Sequence, residues 1–133
     1  MLKRGTNFSA DQYQVSAANP KVFMAKELGM SGSEVSLGFL ARGTGSSFVH
    51  QHKRNEETYL ITRGNGIFHI DGEEFPVTEG SVIRVACAGK RALKADADSD
   101  LEYYCIQSDT DSLKQATRDD GTIVTHPTSW LHV

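Results

Sequence analysis

The feature that most constrains this chain is its punctuation. From residue 22 onward, short runs of β-forming residues are separated by glycine-containing turns. Val22–Leu28 is read as a strand, turned by Gly29-Met30-Ser31-Gly32. Ser33–Leu40 alternates, with Val35, Leu37 and Phe39 on one side and Glu34, Ser36 and Gly38 on the other, the pattern of a half-buried strand. Gly43–Ser47 is a loop and Phe48–His52 opens another strand. Glu57–Thr62, Ile67–Ile70, Phe75–Val77, Ser81–Val85 and Leu101–Gln107 continue the series, with Asp71-Gly72 as a hairpin turn. Many short strands at a spacing of roughly 8–12 residues point to an all-β sandwich or barrel.

The rest of the chain is fitted around that frame. With 133 residues there is material for one ordinary domain. Residues 1–21 are polar, end at the turn signal Asn19-Pro20, and read as an N-terminal arm. Residues 22–107 form the barrel, and 108–133 a C-terminal extension. Within the extension, Ser112–Thr117 has a helical look, with Asp109 or Asp111 as its cap. Ile123, Val124, Trp130, Leu131 and Val133 make its end apolar, so it is expected to dock on its own barrel or on a partner chain.

Charge and composition narrow the function. Lys and Arg number 14 against 17 Asp and Glu, which argues against a broad basic surface and so against nucleic-acid binding. No apolar run approaches the roughly 20 residues needed to span a bilayer. The start MLKRGTNFSADQYQ has no apolar segment behind its basic residues, so the expected setting is cytoplasmic, with no membrane partner. The two cysteines, Cys87 and Cys105, fit no zinc pattern and are expected as reduced thiols.

The chemistry sits in His50-Gln51-His52-Lys53-Arg54-Asn55-Glu56-Glu57. Side chains two apart on a strand share a face, so the two imidazoles converge, and a short turn then delivers a carboxylate. Two imidazoles and a carboxylate on one side of an ion suit Fe(II), and equally Mn, Ni, Cu or Zn. An H-x-H pair alone is more often a surface feature. Here its surroundings resemble the first motif of the cupin superfamily, G-x(5)-H-x-H-x(3,4)-E-x(6)-G. The sequence matches it from His50 through Glu57 to Gly64, with Gly43 and Gly45 bracketing the leading glycine. Glu57 shares a face with Tyr59 and Ile61 and is the favoured acid over Glu56. The superfamily's second motif is degenerate here: Glu79-Gly80 stands for its P-x-G start, and Arg91 falls where its histidine is expected. The resemblance covers roughly residues 35–107. It implies an antiparallel jelly-roll barrel (a double-stranded β-helix) and a homodimer.

Arg91 leaves three arrangements open. A guanidinium cannot ligate a metal. His50, His52 and Glu57 would hold a divalent metal while Arg91 binds an anionic substrate; or no metal binds and Arg91 pairs with Glu57 in an anion or sugar pocket; or Arg91 lies outside the barrel. For the first, the cupin resemblance implies a metal-dependent enzyme of dioxygenase or isomerase type acting on a small polar or anionic molecule. The second is a metal-free binding or sensing module. Arg91, Tyr59 and Tyr103 are the substrate-binding candidates. Tyr59, Phe68 and Ile70 are expected to line the interior, His69 the outer face, and Tyr103 and Cys105 a shared face of the last strand. His126 and His132 show no ligand spacing.

Overall fold

The computed structural model describes residues 2–131, so the expectations for His132 and Val133 lie outside it. Strands β1 (Lys3–Arg4) and β2 (Ser9–Ala10) form a small hairpin; β3 (Lys21–Phe23) and a short helix α1 (Ala25–Leu28) follow. Then come β4 (Glu34–Leu40), β5 (Asn55–Arg63), β6 (Asn65–Ile70), β7 (Glu73–Thr78), β8 (Val82–Val85), β9 (Arg91–Ala95) and β10 (Leu101–Asp109). A five-stranded sheet ordered β3-β4-β10-β5-β8 faces a three-stranded sheet ordered β7-β6-β9. Every strand pairing is antiparallel. The all-β, antiparallel barrel expected from the strand spacing is what the chain forms. No helix among the described residues is long and apolar enough to cross a membrane.

Register explains which residues face the lumen. Directly opposed residues in an antiparallel sheet share a face, so each cross-strand row points one way. One row runs Lys21, Gly38, Tyr103, Ile61; the next Phe23, Ser36, Cys105, Tyr59, Ile83; the third Glu34, Gln107, Glu57, Val85. Tyr59, Ile61, Val85 and Cys105 join Phe68, Val77, Leu93, Ala95 and Leu101 in the buried core, so all three rows face inward. The alternation read in Ser33–Leu40 is real, and its Ser36/Gly38 side is the one on the lumen. Phe68 and Leu101 are fully buried, and burying side chains of that size contributes about 1.5–3 kcal/mol each.

Several local expectations change. Val22–Leu28 is not one strand: β3 stops at Phe23, and Ala25–Leu28 coils into a helix closed by Gly29 in the left-handed conformation (φ 70°). The Glu34 carboxylate accepts from the Met24 and Ala25 amides at its start. Phe48–His52 is extended but is not a regular strand. It is tied by reciprocal His50–Arg91 backbone bonds and by the His52 amide on the Cys87 carbonyl. Ser112–Thr117 is not helical; left-handed φ values at Asp111 (59°) and Gln115 (50°) interrupt it, and a single 3₁₀ turn forms at Arg118–Asp120. Strand β9 carries no strand signal of its own, because Arg-Ala-Leu-Lys-Ala is built of helix formers; pairing with β6 overrides that preference. The C-terminal extension begins inside β10, which runs to Asp109, and beyond it Leu113, Ile123, Val124, Trp130 and Leu131 are exposed.

The turns are as read. Asp71 (φ 50°) and Gly72 (φ 84°) both take left-handed values, the requirement of a tight hairpin between β6 and β7. Gly64, between β5 and β6, is more tightly constrained. It has φ +87°, and an added Cβ would lie 1.8 Å from the Asp100 carbonyl oxygen. Gly64→Ala is therefore expected to destabilise the fold by about 3 kcal/mol, measured by urea unfolding; a loss below about 0.5 kcal/mol, the range of a neutral surface change, contradicts this reading.

Candidate metal centre

Three ligand atoms meet at one mouth of the barrel. One atom each from His50, His52 and Glu57 lies within 4.8 Å of the others. His50 Nε2 is 3.4 Å from Glu57 Oε1, and His52 Nε2 is 3.1 Å from Glu57 Oε2. The histidines come from the extended segment before β5, held by its backbone bonds to Arg91 and Cys87. Glu57 comes from β5, on the inward row with Gln107 and Val85. The neighbouring Glu56 points the other way and pairs with Arg84 on β8 at 2.6 Å. The one-residue alternation of a strand thus separates the two acids, and Glu57 is the one in the cluster.

Glu57 is buried, and its oxygens are heavily used. Tyr59 donates its hydroxyl at 2.9 Å and Cys105 its thiol at 3.3 Å. Burial alone would raise the Glu57 carboxyl. The Tyr59 and Cys105 hydrogen bonds, with the His52 and Arg91 charges, outweigh burial and hold it below the ordinary value, so it is an anion at neutral pH. Burial pushes His50 down, against a smaller opposing pull from Glu57, which favours the neutral imidazole that a metal requires. Burial and the neighbouring Glu57 push the Cys105 thiol up to about 12, so it is a proton donor to Glu57 rather than a nucleophile. Tyr59 is pushed up strongly by the same burial.

Arg91 takes an unexpected place. It sits directly opposite His50 in the backbone pairing, so its side chain follows the imidazole inward. That side chain is 1% exposed, with Nε 3.6 Å from Glu57 Oε1. Its NH2 group donates to the Ala86 carbonyl at 3.0 Å and its NH1 to the His50 carbonyl at 3.5 Å. Arg91 therefore sits behind Glu57. The Arg91–Glu57 pair expected in the second arrangement is present, the side chain does not lie outside the barrel, and it is not part of the cavity lining.

A cavity of about 540 Å³ opens in front of the cluster, with His50, His52, Glu57, Tyr59, Tyr103 and Gln107 among its lining. Of the three substrate-binding candidates, Tyr59 is engaged with Glu57 and Arg91 is sealed off. Only Tyr103 presents a polar group with no hydrogen bond to a described residue. Burial pushes its hydroxyl up to about 12, making it a donor and not a base. Lys21, assigned to the arm by composition, also lines this cavity. Only strand register, which composition does not reveal, brings it there.

The donor set fits a metal. His52 Nε2 is buried and makes no well-formed hydrogen bond, its contact being Glu57 Oε2 at 3.1 Å, and an imidazole nitrogen in that position is suited to ligation. The guanidinium behind Glu57 opposes a cation, but it provides no competing ligand.

A small antiparallel barrel with an H-x-H pair and a glutamate at its mouth defines a class of β-barrel proteins with a metal-suited pocket. The Cupin domain family model matches residues 38–107, and the chain belongs to that family. A cupin protein from Bacteroides fragilis is 37% identical, with a TM-score of 0.80 over 91% of this chain and 100% of that one. An oxalate-binding protein of Thermotoga maritima is 30% identical over 58 residues, 44% of this chain. The match spans about half of that relative, 48% of its length. A sugar phosphate isomerase of the cupin superfamily from Silicibacter pomeroyi shares the fold at 20% identity, with a TM-score of 0.60 over 77% of this chain and 69% of that one.

The different settings of the two acids have a measurable consequence. Arg91→Ala leaves the buried Glu57 charge without its guanidinium and is expected to lose about 3–5 kcal/mol. Arg84→Ala breaks an exposed pair and is expected to lose less than about 1 kcal/mol. Urea denaturation of both variants makes the comparison, and equal losses would contradict the buried position of Arg91.

Proposed function

We propose that this cupin holds a divalent metal through His50, His52 and Glu57 and binds a small carboxylate-bearing molecule against it. The observation that carries the reading is the convergence of three ligand atoms within 4.8 Å at the cavity, with His52 Nε2 buried and lacking any other partner. Fe, Mn, Ni, Cu and Zn all suit this donor set. A bound ion would supply Lewis-acid polarisation to an oxygen of the ligand. This chain's own residues do the rest. Arg91, Tyr59 and Cys105 fix the Glu57 carboxylate, and Tyr103 offers a hydroxyl donor from the cavity wall. The carboxylate ligand is supported by the oxalate-binding relative.

The metal-free alternative expects Arg91 to pair with Glu57, and that pair is present at 3.6 Å. Arg91 does not line the cavity, however, so it has no face to offer an anion there, and the convergence of three ligand atoms supports the metal-centred reading. Isomerase or oxygenase chemistry would build on the same three ligands, with Tyr103 as the nearby neutral acid. We place the protein in the cytoplasm, where the free thiols Cys87 and Cys105 would stay reduced.

The homodimer belongs to the same proposal. Leu60, Val82, Tyr104 and Ile106 alternate away from the lumen on the five-stranded sheet, Val82 is 63% exposed, and the C-terminal extension projects apolar side chains. A second copy would cover these groups. Light scattering behind size exclusion is expected to give twice the 14.6 kDa chain mass, and a monomer at all concentrations would contradict this.

The metal reading is tested on chelator-stripped protein titrated with each ion, followed by calorimetry with oxalate. Ion at a hundredfold excess over its Kd is expected to stabilise the fold by about 3 kcal/mol. The binding should weaken on acidification, as protons compete for both imidazoles. His52→Ala should lose the effect. Oxalate should bind the metal-loaded protein and not the stripped one. Oxalate binding that is indifferent to metal would overturn the proposal.

A further inference from the structure

The wall of the cavity away from the metal cluster carries a cation. Lys21 is the one lysine or arginine among the described residues lining the cavity. It makes no ion pair with any described residue; its ammonium instead lies over two rings, 5.0 Å from the centre of Tyr103 and 5.6 Å from that of Phe23. This position follows from register. Lys21 pairs with Gly38, and Gly38 with Tyr103, so all three belong to one inward row. Gly38 has no side chain to separate them: a Cβ there would lie 2.4 Å from Tyr103 Cζ. The missing side chain lets the ring lie across β4 and meet the ammonium. Two aromatic faces hold the lysine in place while leaving its N–H groups available to an acceptor. The free Tyr103 hydroxyl belongs to the same ring.

We propose that Lys21, with the Tyr103 hydroxyl beside it, binds a second anionic group of the ligand, remote from the end held at the metal. This rests on the metal-centred reading above and specifies its ligand. Tyr103 and Gln107 lie four residues apart on β10, and Gln107 is opposite Glu57. At the rise of a strand the Lys21 row and the Glu57 row are roughly 13 Å apart. Lys21 on β3 also stands three strands across from Glu57 on β5, so an extended lysine side chain does not close the separation. Oxalate, whose two carboxylates share one carbon–carbon bond, cannot bridge it. The fitting ligand is a longer acid with an oxygen-rich end for the metal and a carboxylate or phosphoryl group at the other end.

Calorimetry on the metal-loaded protein distinguishes the cases, using oxalate, glutarate, adipate and a hexose 6-phosphate as probes. Lys21 is exposed, so Lys21→Gln should leave the fold intact. The wild type is expected to bind at least one long probe more tightly than oxalate. Lys21→Gln should weaken that probe roughly 10- to 100-fold and leave metal and oxalate binding unchanged, and Lys21→Arg should restore it. Loss on the dicarboxylates alone assigns a carboxylate, and loss on the phosphate alone a phosphoryl group; either supports the anchor. Metal and oxalate binding without any preference for a long probe, or an equal loss on oxalate and long probes in Lys21→Gln, would overturn the anchor alone. A wild type that takes no metal overturns the reading beneath it as well.

Discussion

The Glu57 carboxylate is the interaction on which the rest of the site depends. It is buried inside an apolar barrel, where an unpaired negative charge would be heavily destabilising. Tyr59, Cys105, Arg91, His50 and His52 all turn toward it. Tyr59 and Cys105 are core residues whose polar tips meet the acid, so the hydrophobic centre and the polar mouth are one continuous structure. Arg91 replaces a potential fourth ligand with a fixed positive charge. It neutralises the acid from behind and leaves the cavity side to the histidines. The three potential ligand groups are left together at the cavity.

The cavity is graded along its length. At one end lie two imidazoles and a carboxylate; at the other, an ammonium over aromatic rings. Between them the walls include Tyr59, Tyr103 and Leu93. On the proposed reading, a metal at the first end and the lysine at the second would together select a molecule with charge-bearing groups at both ends. The lysine is contributed by β3, the edge strand next to the N-terminal arm, which lies outside residues 38–107 that define the family match. Ligand choice in such a barrel can therefore change through the arm while the metal cluster stays the same.

Much of this was legible in the sequence because strands have a strict period of two. The spacing of His50, His52 and Glu57 identified the cluster, and alternation with Tyr59 and Ile61 separated Glu57 from Glu56. The hairpin at Asp71-Gly72 was legible because both positions need left-handed backbone. What stayed hidden depends on pairing between distant segments. Composition left Arg91 among three arrangements, and only its register opposite His50 shows it buried against Glu57. Lys21 looked like part of a polar arm until β3 paired with Gly38. The segment 91–95 carries helix-forming residues, and only its place beside β6 makes it a strand. The extension after Asp109 holds apolar residues that its own barrel does not cover, and no local pattern could show that.

The most direct test of the account is elemental analysis of purified, untagged protein beside His52→Ala, Glu57→Gln and Glu56→Gln. The account predicts one divalent ion per chain in the wild type and in Glu56→Gln, and little or none in His52→Ala and Glu57→Gln. No metal in the wild type after incubation with each candidate ion, or equal metal in all four proteins, would contradict it.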